Sequence, residues 1–282
     1  MRLFLLTTAT MIAFAANSVL TRLAVDGGHM DPNSFAIVRV LAGAAVLSVI
    51  LVVRGGRLRL FQSSRAVGAV SLAVYMAGFS LAYLTLDAGL GALVLFGVVQ
   101  ISMFGHAFAT GTRPRMQQLA GASVAFLGLV LALWPEQERA AQVTGSAWMV
   151  LAGVGWAIYT IAGRAERDPL AATTGNFLLC LPLVVAALAA FAQHMTPLGW
   201  GLAIFCGGVT SGVGYALWYT VLPRLPANLA PVVQLSVPII ALIGGAALLG
   251  EAVSLRVALA AALVVSGIAM AITARSVPAG RS

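Results

Sequence analysis

Residues Asn33–Val53 read NSFAIVRVLAGAAVLSVILVV, a run of apolar and small residues with a single charge, Arg39. A helix needs roughly 20 such residues to cross a hydrocarbon core of about 30 Å. A surface helix of a soluble protein would carry a charged face, and this run carries none. It is read as a membrane span, with Arg39 about one and a half turns inside it.

Nine comparable runs lie outward from this one. Toward the N-terminus there is Leu3–Ala24; toward the C-terminus follow Ala66–Leu86, Ala88–Ala109, Gln118–Trp134, Gly145–Gly163, Leu170–Ala192, Pro197–Leu222, Asn228–Leu249 and Val253–Ala274. The chain of 282 residues is 61% hydrophobic and 9% charged, with a mean hydropathy of +1.00. That composition excludes a soluble globular chain. The expectation is an all-α integral membrane protein of ten transmembrane helices. Arg2 and Ala13-Phe14-Ala15 resemble a cleaved signal peptide, but the apolar character continues to Val25 and the segment has a counterpart later in the chain, so it is read as a retained helix.

The formal charge is +8, and all 16 basic residues are arginines. With no lysine, Schiff-base chemistry is unavailable. The arginines are scattered between apolar runs, so they give no nucleic-acid footprint and are read as topology. With the N-terminus cytoplasmic, twelve of them fall inside: Arg2, Arg54, Arg57, Arg59, Arg65, Arg113, Arg115, Arg164, Arg167, Arg224, Arg275 and Arg281. Arg139 and Arg256 fall outside, while Arg22 and Arg39 are read as lying within spans. This split places both termini in the cytoplasm.

Val98-Val99-Gln100-Ile101-Ser102 returns as Val232-Val233-Gln234-Leu235-Ser236, and Phe14, Asn17 and Arg22 fall opposite Trp156, Tyr159 and Arg164. The repeat unit is five helices, residues 1–139 and 140–282. An odd number inverts the second copy in the membrane, the plan of many secondary transporters.

The stretch Tyr215–Glu251, YALWYTVLPRLPANLAPVVQLSVPIIALIGGAALLGE, resembles the eighth and ninth helices of the EamA family of the drug/metabolite transporter superfamily, marked by Pro238 and Gly250-Glu251. Arg39 and Trp156-Ala157 also match residue types of that family. The first half departs from it, with Met103-Phe104 where the family often has proline and Gly111-Thr112 where it has Gly-Glu. The resemblance implies a multi-pass transporter of a bacterial inner membrane, its fifth and tenth helices peripheral, and names no cargo.

Arg39 is the sharpest candidate, because a charge at that depth needs a polar cavity or partners. It is read either as an anchor for a substrate carboxylate or phosphate or as a structural arginine that snorkels or meets helix-end carbonyls. Asn17 with Ser18, Gln100 with Ser102, and Gln234 with Ser236 are polar groups at membrane depth. The two glutamines are placed to flank a pseudo-two-fold axis near the midplane, or else to bond between helices. Trp156 with Tyr159 and Tyr215 with Trp218 share helix faces; with Tyr83 and Tyr219 they are read as cavity walls or as ordinary packing. His106 is read as structural. Cys180 and Cys206 are read as small hydrophobes, and no metal or cofactor is expected.

All eight acidic residues fall in predicted loops or at helix ends. Without a mid-membrane carboxylate, neutral, zwitterionic or anionic cargo is favoured over lipophilic cations. No Walker-type loop is present, so a gradient must drive transport. The reading is a secondary transporter, an exporter of small polar metabolites such as amino acids, working by alternating access as a monomer or weak homodimer. The alternatives are a cation or drug exporter and a polytopic membrane enzyme.

Overall fold

The computed structural model describes residues 1–58, 60, 63–110, 116–133, 140–163, 166–221, 224–225, 233–234 and 236–273. Arg59, Arg113, Arg115, Arg139, Arg164, Arg275 and Arg281, the acids Glu136 and Glu138, Val232, Leu235 and the boundary at residue 139 lie outside the described residues, as does the side chain of Tyr219.

The helices are α1 (Arg2–Val25), α2 (Pro32–Val53), α3 (Ser63–Ala82), α4 (Ala88–Ala109), α5 (Met116–Leu133), α6 (Ala140–Gly163) and α7 (Pro169–Leu188). They continue with α8, which is helical over Pro197–Phe205, widens into a π-helix over Cys206–Val213 and narrows again over Gly214–Val221. Next come α9 (Ser236–Leu249) and α10 (Leu255–Thr273). Seven of them, α1 to α4 and α6 to α8, are long and apolar enough to cross a membrane, and α5, α9 and α10 are shorter apolar helices. Large apolar side chains such as Val49, Val52, Phe126, Leu127, Ile243 and Leu259 face outward. An apolar exterior on this scale belongs against lipid, so the protein is an all-helical, multi-pass membrane protein.

Several helix starts follow from local chemistry. Asp31 caps α2 by accepting from the Asn33 and Ser34 amides, with Pro32 at the first helical position. Asp168 with Pro169 and Thr196 with Pro197 do the same for α7 and α8. A proline there gives up an amide that has no intrahelical partner anyway. The Asp87 side chain makes no cap at α4; instead the Glu251 carboxylate, from the α9–α10 link, accepts from the Ala88 amide at 2.8 and 2.9 Å. Gly250, with φ of 68°, makes the turn that delivers Glu251 there.

Two sequence expectations shift. The third span was expected over Ala66–Leu86, but α3 ends at Ala82 and the chain turns over residues 83–86 before Asp87. Tyr83 and Leu86 are buried in that turn, so hydropathy does not mark it. The seventh helix ends at Leu188, not Ala192, and runs into a 3₁₀ turn, Ala189–Phe191.

Consecutive helices alternate direction between a near end, where α1 begins, and a far end, where it stops. α1 packs on α8 and α9, α2 on α7 and α8, α3 on α6 and α7, and α4 on α6 and α9. α5 and α10 pack against each other, and each also touches α4. Small residues set that last contact: a Cβ on Gly121 would lie 2.5 Å from the Gly267 carbonyl oxygen and 2.6 Å from the Ala271 nitrogen. In lipid such close backbone approach, not hydrophobic burial, holds helices together. Gly121→Leu is expected to force α5 off α10 and to lower the unfolding temperature of the detergent-purified protein, at an overpacking cost of about 1–3 kcal/mol; an unchanged melt would show that this contact carries no stability.

Candidate functional site

The centre of the bundle is a buried cation. Arg39, on α2, has no exposed surface. Its Nε donates to Ser211 Oγ at 3.1 Å, and its Nη2 donates to Asn17 Oδ1 at 3.1 Å and to the Tyr75 hydroxyl at 3.2 Å. The guanidinium carbon lies 4.7 Å from the Phe79 ring centroid and 5.6 Å from that of Tyr75, within cation–π range. Nη1 has no hydrogen-bond partner among the described residues, and no described carboxylate reaches the group. Arg39 therefore neither snorkels nor meets helix-end carbonyls, which corrects both structural readings of it. Neutral dipoles and ring faces hold its charge.

Glycines bring those partners within reach. Gly207, at the start of the π segment, packs on the Arg39 backbone, and Gly43 meets Phe177 and the Gly207 carbonyl. The wider turn of the π segment then aims Cys206, Thr210 and Ser211 at α1. Each meets Asn17 Oδ1, Thr210 Oγ1 at 2.7 Å, Ser211 Oγ at 3.1 Å and Cys206 Sγ at 3.3 Å. Cys206 is fully buried in an apolar cluster, in keeping with its reading as a small hydrophobe, and also turns its thiol toward this oxygen. π segments recur at functional sites because they re-aim side chains within an otherwise regular helix.

Toward the near end the cation gives way to aromatic rings, with Tyr75 belonging to both. Its ring centroid lies 4.9 Å from Trp156 and 5.3 Å from Phe79. Trp156 stacks on Tyr159 at 5.5 Å and meets Tyr215 at 5.2 Å, while Phe14 joins Trp156, Tyr215 and Trp218 at 5.8 to 6.4 Å. Trp156, Tyr159, Tyr215 and Trp218 thus come together as expected. Tyr83 is apart, linked to the cluster through Phe79 at 4.9 Å. Gln100 and Gln234 are half-buried and are not partners of Arg39. Sequence reasoning missed Tyr75, Phe79, Thr210 and Ser211. The available signal was the small polar pair inside the glycine-rich run CGGVTSGV.

Charged contacts join segments at each end. Arg22 lies within the first span, as read, in the last turn of α1, and pairs with Asp26, Asp87 and Glu251 at 3.1, 3.3 and 3.4 Å. Burial raises the Glu251 carboxyl above the ordinary glutamate range, against the pull of the Ala88 amide and Arg22. At the near end Arg65, opening α3, holds Glu166 bidentately at 2.8 and 3.1 Å. Asp31 stitches the α1–α2 and α7–α8 links by accepting from the Gln193 and His194 amides. Burial alone would raise its pKa, but hydrogen bonds from Ser34, His194 and Gln193 outweigh it and hold the carboxyl below its ordinary range.

A bundle apolar outside and cationic at its centre defines a polytopic membrane protein, and relatives identify its kind. The EamA-like transporter family matches residues 143–273. The chain is 41% identical over 278 residues to an uncharacterized protein of Pseudomonas aeruginosa, covering 97% of this chain and 96% of that one. An uncharacterized transporter of Archaeoglobus fulgidus shares 24% identity over 255 residues, 87% of this chain and 90% of that one. The biotin transporter of Escherichia coli K12 shares 30% over 206 residues, 68% and 67% of the two chains. A crystal structure superposes with a TM-score of 0.68 at 23% identity, over 94% of this chain and 98% of the other, and has the same fold. The chain belongs to the EamA-like transporter family, which makes it a membrane transporter.

A carboxylate whose folded pKa is depressed stabilises the fold above its unfolded pKa and loses that contribution as pH falls through the folded value. The melting-temperature gap between the wild type and Asp31→Asn is therefore expected to be constant from neutral pH down to about pH 5 and to narrow below it. A gap that widens on acidification would refute the assignment of Asp31 as an ionised staple.

Proposed function

We propose that the protein is a secondary transporter that exports small polar metabolites bearing a carboxylate, such as amino acids, by alternating access around Arg39. The observation that carries this is a fully buried arginine whose Nη1 has no hydrogen-bond partner, and which has no carboxylate against it, among the described residues. Such a group is a receptor for an anion, which its planar fork binds in two-point fashion. The adjoining rings of Tyr75, Trp156, Tyr159 and Tyr215 offer apolar faces for the rest of the solute. Tyr83, Gln100, Trp218 and Gln234 complete the proposed lining. One relative is named a biotin transporter, and biotin is a carboxylic acid, which fits an organic-acid cargo.

In this reading the ten helices are two inverted five-helix repeats, residues 1–139 and 140–282, with both termini cytoplasmic in a bacterial inner membrane. The packing supports it: advancing each helix by five, in a cycle of ten, turns α1–α9 into α6–α4, α1–α8 into α6–α3, and α2–α8 into α7–α3, all pairs that touch. Advanced in this way, α2–α7, α4–α9 and α5–α10 map onto themselves. The contacts of Arg22 and of Arg65 then lie at the two ends that must open in turn.

The test is counterflow of radiolabelled L-amino acids in proteoliposomes. Wild-type protein is expected to accumulate label against an internal unlabelled pool, and Arg39→Ala to lose at least about tenfold of that rate, the scale of one lost charge-assisted bond, while its melt shows it folded. Undiminished counterflow by a folded Arg39→Ala protein would remove Arg39 from the site.

A further inference from the structure

Four donors converge on one neutral oxygen. Asn17 Oδ1 accepts from Arg39 Nη2, Thr210 Oγ1, Ser211 Oγ and Cys206 Sγ at 2.7 to 3.3 Å. An amide oxygen has two lone pairs, so it cannot satisfy four donors at once. Thr210 divides its single proton between this oxygen and the Cys206 carbonyl at 2.8 Å. Arg39 adds the N–H groups of Nη1, which have no acceptor among the described residues. This buried cluster is rich in donors and carries a positive charge, and the acceptor the four donors share belongs to another helix: Asn17 is on α1, Arg39 on α2, and the other three on the π segment of α8.

We propose that Asn17 is an internal stand-in for the substrate carboxylate: an organic acid bound at Arg39 displaces the Asn17 amide oxygen from the donors of α2 and α8, and so releases α1. This rests on the anion-binding reading of Arg39 above and assigns that binding a mechanical consequence. A carboxylate offers two oxygens and about four lone-pair sites, and its charge-assisted bonds are roughly twice as strong as those to a neutral amide. The exchange therefore favours the ligand. It also satisfies the requirement that a ligand bind two conformations differently if it is to shift their balance. The contacts that tie α1 to α2 and α8 through Asn17 are broken by the event that fills the site, so occupancy and helix release are one step.

The experiment compares wild type, Asn17→Ala and Asn17→Asp in thermal melts of the detergent-purified protein with L-leucine and L-phenylalanine, each against its primary amide, which lacks the carboxylate. Wild type is expected to be stabilised by the acids and not by the amides. Asn17→Ala, having lost the competitor, is expected to keep the response with equal or tighter apparent affinity. Asn17→Asp places a permanent carboxylate on the donors; it is expected to melt no lower than wild type when unliganded and to bind the acids about tenfold or more weakly. Asn17→Ser, with a smaller acceptor, replaces the alanine variant should that one unfold. An Asn17→Asp protein that binds the acids as well as wild type, or a folded Asn17→Ala or Asn17→Ser protein that no longer binds them, overturns the displacement. Absence of stabilisation by either acid in wild type and Asn17→Ala alike instead overturns the anion-binding reading, and the displacement falls with it.

Discussion

The bundle is organised around a fully buried guanidinium that no carboxylate among the described residues reaches. Placing Arg39 in the middle of an apolar helix costs several kcal/mol unless neighbours replace its hydration. Here the replacement comes from three other helices: the Asn17 amide on α1, the Tyr75 hydroxyl and the Phe79 face on α3, and the Ser211 hydroxyl on α8. Each partner must be at its station at once, so this one charge specifies how four helices sit relative to one another. Among the described residues, one of its nitrogens, Nη1, has no acceptor.

The rest of the architecture serves that demand. Side chains of ordinary size would keep α2 and α8 too far apart for Arg39 to reach Ser211, so glycines occupy the contact and one of them packs directly on the Arg39 backbone. The π segment supplies the remaining adjustment, turning two hydroxyls and a thiol toward α1. At the ends of the helices, charged residues tie segments distant in sequence: Glu251 caps α4, Arg22 joins three carboxylates, and Arg65 holds Glu166. Among the described residues the carboxylates thus lie at the rims, and none reaches the cation at the centre.

Much of this was legible in the residues. Ten apolar runs announced the helices, and the depth of Arg39 marked the centre. Pairs three apart on one helix, Trp156 with Tyr159 and Tyr215 with Trp218, foretold the aromatic cluster. Periodicity on one helix predicts its own face well, which is why those pairs survived. Thr210 and Ser211 escaped notice because threonines and serines in membrane helices often bond to their own backbone one turn back, as Thr7, Thr10 and Thr174 do here, and Tyr75 because a tyrosine in an apolar run reads as a packing ring. Nothing local separates those from a hydroxyl that reaches Arg39 across 172 positions of sequence.

What the sequence determined by itself was the solvent and the elements: its composition requires lipid, lipid requires helices, and their lengths and the glycine, proline and aspartate punctuation set most of their limits. What only the tertiary structure decided was which polar groups meet. In a membrane every helix interior looks alike to hydropathy, and hydrogen bonds between helices depend on rotation and approach distance, which are settled by small-residue contacts and a π turn that no single run of residues records. The partners of Arg39 are therefore a property of the packed bundle, although the need for partners is written in the chain.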